Sequence, residues 1–179
     1  MKYTTALLAL VASASAIDLY LHGNNDCGGS ELRCNNRNPN TCCGTNASTP
    51  YRSVAVRGIP SGWSLQGRGY DQGNCNRLQT ISGNNGNLWI CNRSNNFFYT
   101  GVGYNFVSRK RNGVDVPVGV VAKDVKEECQ RPDALVLEDG TEYDLTSLNE
   151  ENFDSLVTIG FNASSSADIP EHFQSLQIN

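Results

Sequence analysis

Short runs of apolar and polar residues alternate over residues 17–111, and Gly, Asn and Pro separate them. Runs with strand character lie at 17–21, 53–57, 62–66, 78–81, 87–91, 97–100 and 101–107. Successive runs start about ten residues apart, the spacing typical of a sandwich or barrel of short strands. No stretch of this segment has the 3.6-residue period of a helix. The pattern therefore predicts an all-β domain.

Residues 112–179 have a different pattern. Residues 134–145 predict a hairpin that turns at Asp139-Gly140. One or two helical turns are expected over 150–156, a strand over 156–161, and a short terminal helix opened by Pro170. We therefore expect an α+β extension after the β-domain.

The first sixteen residues have the pattern of a secretory signal. Lys2 precedes the apolar run 7–12, and Ala14-Ser15-Ala16 has the small residues of a cleavage site. No later segment has about 18 consecutive apolar residues, so no transmembrane segment is predicted. The protein is expected to be secreted and extracellular, where cysteines form disulfides.

Charge divides the chain into two parts. Residues 17–111 carry ten basic and four acidic residues, and residues 112–179 carry three basic and fourteen acidic residues. This predicts a signal peptide over 1–16, a basic cysteine-rich β-domain over 17–111 and an acidic extension over 112–179. The boundary triplet Arg109-Lys110-Arg111 is a candidate processing site that would make the extension a removable pro-segment. The alternative is a solvated loop.

Six of the seven cysteines precede Arg111: Cys27, Cys34, Cys42, Cys43, Cys75 and Cys91. They predict three disulfides, in which the adjacent Cys42 and Cys43 have different partners. Cys129 either links two chains as a disulfide dimer or remains a thiol. Three N-x-Ser sequons, at Asn46, Asn92 and Asn162, predict glycosylated exposed loops.

The segment around 53–73 resembles the βγ-crystallin Greek-key motif. Ser53-Val54-Ala55-Val56 is followed by Pro60-Ser61-Gly62-Trp63-Ser64-Leu65 and by Tyr70-Asp71-Gln72-Gly73. The resemblance implies a disulfide-stabilised Greek-key β-sandwich, as in small secreted microbial and yeast killer toxins. With its many cysteines, the domain is also similar to cysteine-rich fungal effectors. Residues 48–53 retain little of the family's calcium loop, so no calcium site is expected. A second resemblance, of Cys27 to Gly44, is to hevein-type chitin-binding modules.

Candidate catalytic residues are few. Secreted ribonucleases can use one His, one Glu and Arg, which makes His22, Glu31 and Arg33 candidates, although His22 also suits a surface loop. No metal ligands with the usual spacing and no cofactor motif occur. The net charge of −4 argues against nucleic acid as a partner.

The large aromatic residues, including Trp63 and Trp89, are expected mainly in the core. Phe97-Phe98-Tyr99 is the exception, because side chains on a strand alternate and at least one of the three must be exposed. The expected binding residues are Arg52, Arg57, Arg68, Arg93, Phe97, Phe98 and Tyr99. They predict a non-enzymatic toxin or effector that binds an anionic cell surface, a glycan or a host or competitor protein. The alternatives are an extracellular structural or cell-wall glycoprotein and a secreted RNase-like enzyme.

Overall fold

The computed structural model describes residues 17–46, 49–107 and 129–178. The predicted signal peptide (1–16) and the candidate processing site at Arg109, Lys110 and Arg111 lie outside these residues. Strands make up 42% of the structure and form two sheets of a β-sandwich-like fold. The mostly-β expectation is therefore confirmed.

The described residues 17–107 form eight strands, several of which are separated by turns rich in Gly and Asn. They are β1 (Ile17–His22), β2 (Glu31–Arg37), β3 (Cys42–Gly44), β4 (Ser53–Arg57), β5 (Leu65–Asp71), β6 (Arg77–Gly83), β7 (Trp89–Arg93) and β8 (Gly101–Phe106). Strands β2, β1, β4 and β7 are neighbours in one sheet, and β6, β5, β8 and β3 are neighbours in the other. The first four strands and the next four therefore have the same topology. In each set, three strands lie in one sheet and the third strand of the set, β3 or β7, lies in the other.

The described part of the acidic segment extends both sheets. Its strands are β9 (Cys129–Gln130), β10 (Ala134–Val136), β11 (Glu142–Asp144) and β12 (Gln177–Ile178). Strand β9 pairs with β3, and β10 pairs with β2 and continues into β11 and β12. The predicted hairpin is present, with the Asp139-Gly140 turn between β10 and β11.

Helix α1 (Glu150–Gly160) follows β11 and packs one face against the hydrophobic core. The Oδ1 atom of Asn149 accepts a hydrogen bond from the Asn152 amide at 2.9 Å and caps the helix. Phe153, Leu156 and Val157 face the core at helical spacing. The prediction of a strand over 156–161 is wrong, because Leu156 and Val157 continue the apolar face of a capped helix that ends at Gly160. A second helix, α2 (Glu171–Gln174), follows Pro170 as predicted.

One hydrophobic core joins the two segments. Leu19, Leu21, Leu32 and Tyr99 from the basic segment pack in the same cluster as side chains of the acidic one, namely Leu135, Leu137, Tyr143, Leu145, Phe153, Leu156 and Val157. The expectation that Trp63 and Trp89 lie in the core is wrong: their exposed fractions are 37% and 48%. Trp63 lies two residues before β5 and packs against Phe106, and Trp89 is the first residue of β7.

The cysteines form three disulfides within the chain: Cys27–Cys91, Cys34–Cys43 and Cys42–Cys75. Cys42 and Cys43 have different partners, as predicted. Cys129 lies outside the three bridges and is exposed.

Candidate binding surface around Arg52

Arg52 is exposed and lies immediately before β4, between the buried residues Tyr51 and Ser53. The Tyr51 ring below it is fully buried and packs edge-on to Phe161, with 5.3 Å between ring centroids. Burial raises the pKa of Tyr51 to about 12. The Arg52 amide donates to the His22 carbonyl at 2.9 Å, and the Arg52 carbonyl accepts from the Ser94 amide at 2.8 Å. The backbone that carries this exposed guanidinium is therefore fixed by two neighbouring segments.

Phe98 is the exposed member of the aromatic triplet. Tyr99 is fully buried and Phe97 packs edge-on against it at 4.8 Å, whereas half of the Phe98 side chain is exposed (50%). The expectation that at least one of the three is exposed is confirmed. The Arg52 guanidinium carbon lies 5.8 Å from the centroid of the Phe98 ring, within the range of a cation–π contact.

Three neighbouring cavities meet at Arg52, and we call them together with Phe98 the Arg52 surface. One, of about 310 Å³, is lined by Gly23, Thr49, Pro50, Arg52, Thr158, Phe161 and Asn162. A second, of about 210 Å³, is lined by Asn25, Arg52 and the segment 94–98. The third, of about 540 Å³, adds Asn24 and Asp26 to Asn25 and Arg52.

The chemistry of the Arg52 surface combines one cation, one aromatic face and several neutral polar groups. A planar guanidinium donates paired hydrogen bonds to carboxylate or phosphate oxygens. The amides of Asn25, Asn95 and Asn96 both donate and accept hydrogen bonds. Asp26 adds an acceptor at the rim. The arrangement suits a partly anionic ligand rich in hydroxyl groups.

The other predicted binding residues are not all brought to this surface. Arg93 is exposed and lies beside Ser94 at the edge of the Arg52 surface, where it lines a separate groove with residues 79–82. Arg57, at the far end of β4, donates to the Cys27 carbonyl at 2.7 Å and stacks on the Tyr20 ring at 4.6 Å. Arg68 is half-buried on β5 in the other sheet. Arg57 and Arg68 therefore do not join Arg52.

The candidate catalytic residues His22 and Glu31 do lie together, but inside the protein. His22 is fully buried, and its Nδ1 atom lies 3.2 Å from the Oε2 atom of Glu31. Burial, and next the Arg57 charge, lower the pKa of His22 to about 3, while burial raises the pKa of Glu31. The guanidinium of Arg33 is ion-paired with Glu142. A substrate cannot reach the His22 ring in this conformation, so the geometry gives no support to RNase-like catalysis.

The three sequons differ in accessibility. Asn46 and Asn162 are exposed. Asn92 is only 4% exposed, and its amide donates to the Gly67 carbonyl at 3.3 Å. The expectation of an exposed loop is therefore wrong at Asn92, because this residue lies within β7 and points between the sheets.

Two further groups of residues come together in ways that the sequence did not predict. Phe161 and Asn162 come from the acidic segment and complete the first cavity beside Arg52. A separate apolar end of the sandwich exposes Trp63, Leu88, Trp89, Phe106 and Val107. No sequence signal distinguishes these residues from core residues of the same types.

Within the ranges that the structure describes, no group of three or more His, Cys, Asp or Glu side chains is arranged to hold a metal ion. No helix among the described residues is long and apolar enough to span a bilayer.

Among curated proteins and among solved structures, nothing matches the chain. The profile of one protein family, ARB_05566_N, described as an N-terminal domain, matches residues 18–133. This match covers about two thirds of the chain and extends from β1 to the residue before β10. The chain therefore belongs to the ARB_05566_N family.

Proposed function

We propose that this is a secreted, non-enzymatic binding protein of the toxin or effector type, and that its Arg52 surface binds an acidic glycan on a cell surface. The observation that carries the proposal is the exposed Arg52–Phe98 pair at the point where three cavities meet. An acidic sugar offers a carboxylate or phosphate to the guanidinium, an apolar ring face to Phe98, and hydroxyls to the neighbouring amides.

Three disulfides in a chain with a signal-like leader support an extracellular location. They also support a binding role, because the Cys27–Cys91 bridge ties together the β1–β2 turn and β7, which both lie next to Arg52. A rigid surface loses little conformational entropy when it binds a ligand.

The crystallin-like architecture is part of the same proposal. Strand β4 returns to pair with β1, and β8 returns to pair with β5, as the fourth strand of a Greek key pairs with its first. The Ser53 hydroxyl accepts from the Cys27 amide at 2.9 Å and donates to the Asn24 carbonyl at 2.6 Å. A serine that caps a hairpin is what the resemblance implies, so these two hydrogen bonds support the proposal. Gly62 has a φ of 82°, a conformation that favours glycine.

One observation favours the alternative of a cell-wall-associated glycoprotein. Residues 129–178 supply strands to both sheets and side chains to the core, so the described acidic segment is a structural part of the protein. In this alternative the Arg52 surface binds a glycan of the producing cell's own wall. Both functions require that the Arg52 surface binds a glycan. They differ in whether that glycan belongs to a target cell or to the producing cell.

The test is binding of the secreted protein to immobilised polygalacturonate and, for comparison, to neutral mannan. We expect binding to polygalacturonate that weakens as salt rises. Arg52→Gln should reduce the affinity by about 10-fold or more, since a hydrogen bond to a charged group contributes roughly 1.5–3 kcal/mol. Phe98→Ala should reduce it as well, through loss of the ring contact.

Arg77→Gln and Phe106→Ala are the controls, because each removes an exposed Arg or Phe side chain elsewhere. Arg77 is paired with Asp71, so circular dichroism is used to check that Arg77→Gln is folded. Both should bind like the wild type. Equal loss with Arg77→Gln would show that net charge alone governs binding and would contradict the proposed site. Failure of the wild type to bind any acidic glycan would reject the function itself.

A further inference from the structure

Three cysteine sulfurs lie together where the basic and acidic segments pair. Strand β9 runs parallel to β3, with Cys129 in register with Cys42. The Cys129 Sγ atom lies 2.9 Å from the Cys42 Sγ atom, which is bonded to Cys75. Two sulfur atoms that merely touch are farther apart than this. Cys129 therefore contacts one sulfur of an existing disulfide.

The surroundings of the three sulfurs differ. Cys42 is fully buried, Cys75 is partly exposed and Cys129 is exposed. The Cys129 sulfur also lies 3.1 Å from the Oδ1 atom of Asn74, the residue before Cys75. The attacking group in disulfide exchange must be a solvent-accessible thiolate, and Cys129 has that position.

We propose that Cys42, Cys75 and Cys129 form an exchangeable cluster with two disulfide isomers. The Cys129 thiolate attacks the Sγ atom of Cys42, a Cys42–Cys129 bond forms, and the Cys42–Cys75 bond breaks. The electron pair of the broken bond leaves with Cys75, whose thiolate then takes up a proton. The step needs no oxidant or reductant, because the number of disulfides and thiols is unchanged.

The two isomers differ in what they connect. In the described isomer, Cys42–Cys75 closes a loop within the basic segment. In the exchanged isomer, Cys42–Cys129 joins β3 covalently to β9 and so fastens the acidic segment to the basic one. The Cys75 thiol released by exchange is partly exposed, between the β5–β6 turn and Gly101. It would be the group open to alkylation or to disulfide formation with another molecule.

The experiment traps the thiols of the full secreted protein. The native protein is incubated without reductant, unfolded at mildly acidic pH with excess N-ethylmaleimide, and mapped by mass spectrometry without reduction. We expect one label per chain, divided between Cys129 and Cys75, with linked peptides for both Cys42–Cys75 and Cys42–Cys129. A label confined to Cys129 would overturn the proposal, and so would a dimer linked through Cys129.

Two variants sharpen the result. Cys129→Ser should show no label and only the Cys42–Cys75 bridge in this cluster. Cys75→Ser should also show no label, because the oxidising conditions of the secretory pathway then join the Cys42 and Cys129 thiols in a bridge. Two labels on a folded Cys75→Ser protein would overturn the proposal. If Cys75→Ser does not fold, as circular dichroism would show, the wild-type map still decides the matter.

Discussion

The Nη2 atom of Arg37 donates to both carboxylate oxygens of Asp133, at 2.5 and 2.6 Å. The Oδ2 atom of the same carboxylate accepts from the Asn35 amide at 2.7 Å. A second ion pair, between Arg33 and Glu142, joins β2 to β11. The opposite charges of the two halves of the chain are therefore partly neutralised by direct ion pairs between them.

We predict that Asp133→Asn destabilises the protein by about 1.5–3 kcal/mol, the range for hydrogen bonds to charged groups. The variant leaves the partly buried Arg37 guanidinium without its carboxylate. The free energy of unfolding from urea titration measures the loss. Glu138→Gln is the control, since Glu138 is exposed and its charge lies at the tip of the β10–β11 hairpin. Equal stability of Asp133→Asn and Glu138→Gln would contradict the structural role of the Arg37–Asp133 pair.

Stability should fall as pH decreases through the range in which an unfolded histidine becomes charged. The unfolded chain takes up a proton at His22 near pH 6.5, whereas the folded chain, with a His22 pKa of about 3, remains neutral. The contribution of His22 to the free energy of unfolding is therefore fully present above about pH 6.5, and it is lost as the pH falls towards 3. Between these two pH values, the free energy of unfolding falls by up to about 1.4 kcal/mol for each pH unit. Urea titrations at several pH values measure it.

His22→Leu should remove this slope, whatever its effect on stability at neutral pH. Glu31 acts in the opposite direction, because its raised pKa lets the folded chain bind a proton before the unfolded chain does. Glu31→Gln should therefore make the loss towards low pH steeper. An unchanged slope in His22→Leu would mean that the buried histidine does become charged.

Helix propensity and core packing give opposite predictions at Gly160. Alanine is favoured over glycine within a helix by about 1 kcal/mol. A Cβ atom at Gly160, however, would lie 2.4 Å from the Cδ2 atom of the fully buried Leu135. Overpacking of this kind costs roughly 1–3 kcal/mol, so we expect Gly160→Ala to be net destabilising. Thermal unfolding compares it with Ser155→Ala, an exposed site on the same helix that should be neutral or slightly stabilising. A more stable Gly160→Ala protein would show that Leu135 moves aside easily.

Much of the fold could be predicted from local patterns. Strands β1, β4 and β8 and the Asp139-Gly140 hairpin follow from alternation and turn residues, because these signals involve only neighbouring residues. Strands β2 and β3 were missed, since Glu31–Arg37 is largely polar and Cys42–Gly44 has only three residues. The polar β2 is stable in the sheet because β1 and β10 both pair with it.

The candidate site was only partly predictable. Arg52 and Phe98 were both expected to bind, but the sequence could not show that they meet. They are brought together by the bond from the Tyr99 amide to the Tyr51 carbonyl, at 2.8 Å, which joins residues far apart in the chain. Phe161 and Asn162 also line the cavity beside Arg52. The sequence could not show this either, because these residues are far from Arg52 in the chain.

The sequence by itself determined the local properties of this protein: strand-forming runs, turn positions, six cysteines in one half, and a strong separation of charge. An exposed residue among Phe97, Phe98 and Tyr99 was also expected, but from a strand that does not form there, since β7 ends at Arg93 and β8 begins at Gly101. Only the tertiary structure decided which sulfurs pair, which aromatic side chains are exposed, and that the described acidic segment shares the core of the basic one. Those outcomes depend on contacts between residues distant in sequence, and no local pattern specifies such contacts.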